Sequence, residues 1–82
     1  MDQKERTLKD LDKLKRIITI AKELGLESKY QDVLDHAQNY FIDAKHFYDS
    51  GDYFTSFGAA NYAYGFIDAI LIIEGKRDQN IL

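Results

Sequence analysis

Eighty-two residues, 45% of them hydrophobic and 30% charged, describe a single globular domain (residues 1–82) close to the smallest size that folds without a staple. The chain has no cysteine, which excludes a disulfide framework, a thiolate metal site and a thiol nucleophile, and its net charge of −3 argues against general nucleic-acid binding. A charged N-terminal stretch without an apolar run predicts no signal peptide, and purely apolar runs as short as Ala69–Ile73 predict no membrane crossing. A soluble, cytoplasmic protein is the expectation.

Proline is absent, so glycine supplies the punctuation. Leu8, Leu11, Leu14, Ile18 and Ala21 recur at three- and four-residue spacing and predict a first helix over about residues 4–24. Gly25 is the expected stop, with Leu26 packing back on the last turn. Along the outside of this helix Arg6, Lys9, Lys13 and Arg16 form a basic ridge. Asp2, Glu5 and Asp12 stand four residues before Arg6, Lys9 and Arg16, so a neutralised, solvated face is predicted rather than an RNA or membrane contact.

Ser28 with Gln31 has the spacing of a capping box and predicts the start of a second helix, over about 29–50. Its wide apolar face runs from Tyr30 and Val33 through Leu34, Ala37, Tyr40, Phe41, Ala44 and Phe47 to Tyr48. Ser50-Gly51 ends it, and Asp52 is placed to cap a third helix over about 53–74. That helix carries Phe57, Ala60, Tyr64, Ile67 and Leu71, widened by Ala59, Ala63, Phe66, Ile70 and Ile73; Gly75 ends it, and residues 76–82 are expected to fray. Three rods of about 30 Å joined by short loops predict an all-α, up-down-up antiparallel three-helix bundle. Pivoting near Gly51-Asp52, the hairpin should set Asp43 beside Ala60 and Asn61, Tyr40 near Ala63, and His36 near Ile67 and Asp68. Gly58, Ala59, Ala63 and Gly65 are small enough for the two helices to approach closely.

Asp43 and Asp68 stand out because each interrupts an apolar run, where an unpartnered carboxylate is costly to bury. One reading makes them polar tethers fixing the hairpin register, with Asn61, Tyr64 and Tyr40 in reach of Asp43 and His36 in reach of Asp68. The sharper reading makes Asp43, Asp68, His36, Asn61 and Tyr64 the lining of a small-ligand, nucleotide or metal site. The pairs Asp43/His46 and Asp32/His36 have ligand-like spacing, but no second carboxylate-x-x-His follows, so no metal and no cofactor is expected. Neither a phosphate loop nor a catalytic triad order occurs, which points away from an enzyme.

The run Tyr40–Phe54, YFIDAKHFYDSGDYF, is read as the inside corner of the hairpin, and all the aromatics lie between Tyr30 and Phe66. That number exceeds what one inner face needs. Tyr53, Phe54 and Tyr62 are therefore predicted to lie partly outside as contacts for a protein partner or a second copy of the chain. The expected function is a non-enzymatic helical interaction module, with the polar-site reading as the alternative.

Tyr40-x-x-Asp43-Ala44, Phe47, Gly51-Asp52-Tyr53-Phe54 and Asn61-Tyr62-Ala63-Tyr64-Gly65-Phe66-Ile67-Asp68-Ala69 resemble an archaeal family catalogued as domain of unknown function 357. The likeness lies in helices two and three; helix one matches only in length and leucine pattern. It implies a small, mainly three-helix cytosolic protein without an assigned activity. Ser56 and Gly58 stand where a stronger helix former is expected, which should loosen helix three.

Overall fold

The computed structural model describes residues 2–77 and holds three helices: α1 (Gln3–Glu23), α2 (Gln31–Asp49) and α3 (Tyr53–Ile73). They form an all-α, up-down-up bundle measuring 35 × 25 × 16 Å, in which α2 and α3 are the most closely packed pair. The predicted frayed tail falls largely on residues 78–82, outside the described residues. Within them Arg77 is held by Asp68, so that part of the tail is tied to α3.

All three helices end in the same way. At the end of α2, Gly51 takes φ +88°, the Asp52 N–H donates to Phe47 O (2.9 Å) and the Gly51 N–H to Tyr48 O (3.0 Å). This is the Schellman arrangement, which satisfies two carbonyls that the helix leaves over and needs a residue at ease in the left-handed region. Gly25 and Gly75 repeat it at the ends of α1 and α3, with Leu26 N–H donating to Ala21 O and Lys76 N–H to Leu71 O. Leu26 is buried, as expected of the residue that packs back on the helix.

The starts differ. Asp2 accepts from the Glu5 N–H (2.8 Å) and Asp52 from the Thr55 N–H (3.1 Å), both ordinary carboxylate caps. The predicted capping box at Ser28 does not form. Residues 27–29 continue as a turn, the Tyr30 N–H donates to Leu26 O, and Tyr30 is an N-cap with no side-chain cap bond. Its phenol is committed elsewhere: it donates to Glu74 Oε2 (2.7 Å), which also accepts from Lys29 (2.9 Å). The start of α2 is thus tied to the end of α3.

The core is Leu11, Leu14, Ile17, Ile18 and Ala21 from α1, Leu34, Ala37 and Ala44 from α2, and Ala60, Ala63, Ile67, Ile70 and Leu71 from α3, closed at one end by Leu26. The predicted stripe of α1 is buried at Leu11, Leu14, Ile18 and Ala21 and departs only in the first turn. Leu8 is 45% exposed, while Thr7 is fully buried. Burial of Thr7 is permitted because its hydroxyl donates to Gln3 O (2.7 Å), with Tyr53 O at 3.3 Å beside it.

Close approach of α2 and α3 comes from alanines, not from the glycines. Ala37, Ala44, Ala60 and Ala63 are buried, whereas Gly58 and Gly65 face outward with open space where a Cβ would stand. Ser56 is also inside, donating to Ala44 O across the hairpin at 2.6 Å. It is a bolt between the helices rather than a loosened position.

Candidate functional site

The predicted polar cluster does not assemble. Asp43 is exposed, with no hydrogen bond or ion pair among the described residues. Asp68 pairs with Arg77 rather than with His36. Asn61 turns toward α1, donating to Phe57 O (3.0 Å) and reaching Asp10 Oδ2 at 3.4 Å. Tyr64 lies beneath the Lys13 ammonium, 4.6 Å from the ring centroid. His36 is on the opposite flank of α3, its ring stacked on Phe66 (5.1 Å) and meeting the edge of Tyr40 (5.0 Å). Of five residues proposed as one lining, four have separate neighbours and Asp43 has none among the described residues.

The predicted hairpin register is nevertheless present, in the contacts of Tyr48 with Tyr53, Tyr40 with Tyr62, and Ser56 with Ala44. The tether role assigned to Asp43 belongs to Ser56. A serine reaches a backbone carbonyl about two turns from the pivot, where a carboxylate would need a donor that the facing alanines do not supply. The Tyr64 hydroxyl is buried without a hydrogen-bond partner among the described residues, and burial holds its pKa above the ordinary tyrosine value.

Metal-like spacing likewise leads nowhere in space. Among the described residues no three His, Asp or Glu side chains come together as a possible metal site. His46 lines a shallow hollow of about 260 Å³ with Phe41, Ile42, Lys45 and Asp49, all from α2, so no second helix adds a ligand.

The basic ridge of α1 behaves differently from its predicted pairing. No ion pair links Arg6, Lys9 or Arg16 to Asp2, Glu5 or Asp12 among the described residues. Arg6 instead lies over the Phe57 ring at 5.5 Å, and Lys13 over Tyr64. Exposed i, i+4 pairs contribute little, and an aromatic face that also covers the aliphatic stem competes well with them.

The residues that do form a surface are on α3. Its outward side carries Phe54 (77% exposed), Tyr62 (53%), Ile72 (60%) and Ile73 (69%), separated by Gly58, Gly65 and Ala69. These positions recur at three- and four-residue spacing along the whole helix, a second apolar stripe behind the one facing the core. The single ionised side chain of α3, Asp68, is paired. By length and composition α3 could cross a membrane, contrary to the expectation drawn from its shorter runs; core helices of soluble bundles share that property.

Of the three predicted contact residues, Phe54 and Tyr62 are outside. Tyr53 is half-buried, packed on Tyr48 with ring centroids 5.3 Å apart. Tyr62 continues into a cluster with Phe66 (4.5 Å) and Tyr40 (4.9 Å), which joins the stripe to α2. At the N-terminal end of the stripe, Gln3, Arg6, Thr7, Phe54 and Phe57 line a groove of about 320 Å³ between α1 and α3. Ile73, which the periodicity placed on the apolar face of the third helix, instead projects at the other end together with Ile72.

Fold and surface together define a small helical bundle with an apolar helix face left over. The chain belongs to the family described as Protein of unknown function (DUF357), whose model matches residues 5–75 and so takes in α1 as well as the α2/α3 hairpin. No curated protein and no solved structure matches it.

Proposed function

We propose that this protein is a cytoplasmic, non-enzymatic helical interaction module that binds another macromolecular surface through the outward stripe of α3 and the aromatic cluster beside it. One observation supports the reading above all: α3 keeps large apolar side chains outward from Phe54 to Ile73, and the one ionised residue beside them, Asp68, is paired with Arg77. Scattered exposed hydrophobics need no explanation, but a continuous stripe the length of a helix is the usual mark of a contact surface. The alternative, a small-ligand or metal site around Asp43 and Asp68, has less support, because Asp68 is paired with Arg77 and Asp43 stands apart, exposed and without a partner among the described residues.

The test is a tagged chain produced in its organism of origin, crosslinked in the cell and quantified by mass spectrometry. The wild type is compared with a Phe54→Lys/Ile72→Lys variant, changed only at positions more than half exposed. A companion near equal stoichiometry, whether another protein or an untagged copy of this chain, is expected with the wild type and several-fold less with the variant. Equal recovery from both overturns the reading.

A further inference from the structure

Resting on the interaction-module reading, we infer that the partner of the α3 stripe is a second copy of this chain, docked with its own α3 antiparallel across a two-fold axis near Tyr62 and Gly65. A two-fold contact presents the same patch to itself, so a patch charged with one sign repels its own copy. None of Phe54, Tyr62, Ile72 and Ile73 is ionised, Asp68 beside them is paired with Arg77, and Arg6 at the groove lies over the Phe57 ring. Antiparallel α3 helices also set the positive end of each helix dipole beside the negative end of the other.

The stripe is self-complementary in shape in one register. Reversing α3 with Tyr62 opposite the partner's Gly65 sets Gly58 opposite the partner's Ala69 and Phe54 opposite the partner's Ile73. At the centre a large ring meets open space: nothing lies within 4 Å of where a Cβ on Gly65 or Gly58 would stand. At the ends a projection meets a hollow. Ile72 and Ile73 protrude from the C-terminal end, 60% and 69% exposed, and the groove of about 320 Å³ beside Phe54 lies at the N-terminal end. The two-fold axis makes that fit twice. A parallel arrangement would place Phe54 on the partner's Phe54 and leave both grooves unfilled.

The area is sufficient for a reversible dimer. With about 150–250 Å² for a fully buried aromatic, the exposed parts of Phe54, Tyr62, Ile72 and Ile73 come to roughly 500 Å² per protomer. Both sides together reach about 1,000 Å², the lower bound of specific interfaces. A weak, reversible monomer–dimer equilibrium is expected of a contact of that size.

Sedimentation velocity of the full chain from about 1 µM to about 1 mM, concentrations that span weak to moderate binding, measures it directly. The weight-average mass should rise from one chain toward two. Phe54→Lys and Ile73→Lys should each raise the dimer Kd more than tenfold without changing helical circular dichroism or the thermal midpoint at a concentration that keeps the chain monomeric. Because the chain has no cysteine, single cysteines report the direction. Tyr62→Cys, which adds no bulk at the axis, should crosslink to itself through a short bismaleimide, its twin being about 4.5 Å away along the helix axis. Phe54→Cys should not, since its twin would be about 28 Å away along the helix axis, yet it should crosslink when mixed with Ile73→Cys.

Four results overturn the inference. They are a single-chain mass throughout, a dimer indifferent to both lysine substitutions, efficient Phe54→Cys self-crosslinking, and a monomer that instead pellets with phosphatidylcholine vesicles. A single-chain mass removes the second copy alone. The module reading falls separately, if wild type and variant recover the same companions in the cell.

Discussion

α1 and α3 run parallel as neighbours and each has 21 residues, yet they finish their outer faces in opposite ways. Roughly half of α1 is charged, so every turn of its outer side is solvated and only Leu8 remains as a large apolar side chain well outside. α3 has one ionised residue and two apolar faces, of which the bundle uses one. An amphipathic helix is complete once folded, whereas a helix apolar all round still has surface to bury. The difference between the helices is therefore a difference between the part of the molecule that makes the fold and the part available to something else.

The sharpest way to break that division is to truncate an equally apolar side chain on each face of α3. Ile67→Ala, at a fully buried position, should cost about 2–5 kcal/mol in urea denaturation, enough to leave so small a domain largely unfolded. Ile73→Ala should stay within about 0.5 kcal/mol of wild type at a concentration that keeps the chain monomeric. Comparable losses at both positions would mean that the outer stripe is part of the core.

Next in size is the bolt between α2 and α3. Ser56→Ala removes a buried donor and leaves the Ala44 carbonyl short of a partner, and about 1–2 kcal/mol should be lost. Asp43→Ala, at an exposed position without a partner among the described residues, should change stability by less than about 0.5 kcal/mol. Chemical denaturation of the two variants side by side decides between a serine tether and a carboxylate one.

Gly58→Ala and Gly65→Ala sharpen the comparison from the outer face. Neither glycine has positive φ and each Cβ enters open space, so each substitution should stabilise the monomer by about 0.5–1 kcal/mol through backbone entropy. Gly65→Ala should at the same time weaken self-association in sedimentation, because a methyl occupies the room taken by the partner's Tyr62.

The smallest effect belongs to the closure at the other end of the bundle. Hydrogen bonds from Lys29 and then Tyr30 hold the Glu74 carboxyl below its ordinary value of 4.5. A group depressed on folding contributes stability above its unfolded pKa and loses it as pH falls through the folded value. The wild type should therefore lose this increment below about pH 4.5 in thermal melts, and Glu74→Gln should flatten that part of the pH profile. On the alkaline side, Glu74 raises the Lys29 pKa, so the lysine's share fades as pH rises beyond 10.5.

Much of this was legible in the chain. Glycines 25, 51 and 75 stop their helices with positive φ, Asp52 caps α3, and pivoting about Gly51 gave the hairpin register to within a turn, because all of these depend on a few adjacent residues. The family likeness in Gly51-Asp52-Tyr53-Phe54 and in Asn61–Ala69 lies within the matched span. The polar site was not legible. Spacing put Asp43, His36, Asn61, Tyr64 and Asp68 within reach of one another on paper, but helical periodicity carries no sign of which flank faces which neighbour. In the bundle Asn61 and Tyr64 turn to α1, while His36 sits with Phe66 on the other flank of α3.

By itself, then, the sequence determined three helices, their ends and their antiparallel order, since period, caps and loop length act over a few residues. Tertiary packing decided the rest. It buried Thr7 and Ser56 because carbonyls happened to face their hydroxyls, and sent Arg6 and Lys13 to aromatic rings instead of carboxylates. It also left Phe54, Tyr62, Ile72 and Ile73 outside, because a three-helix bundle gives each helix two neighbours and cannot cover a third side.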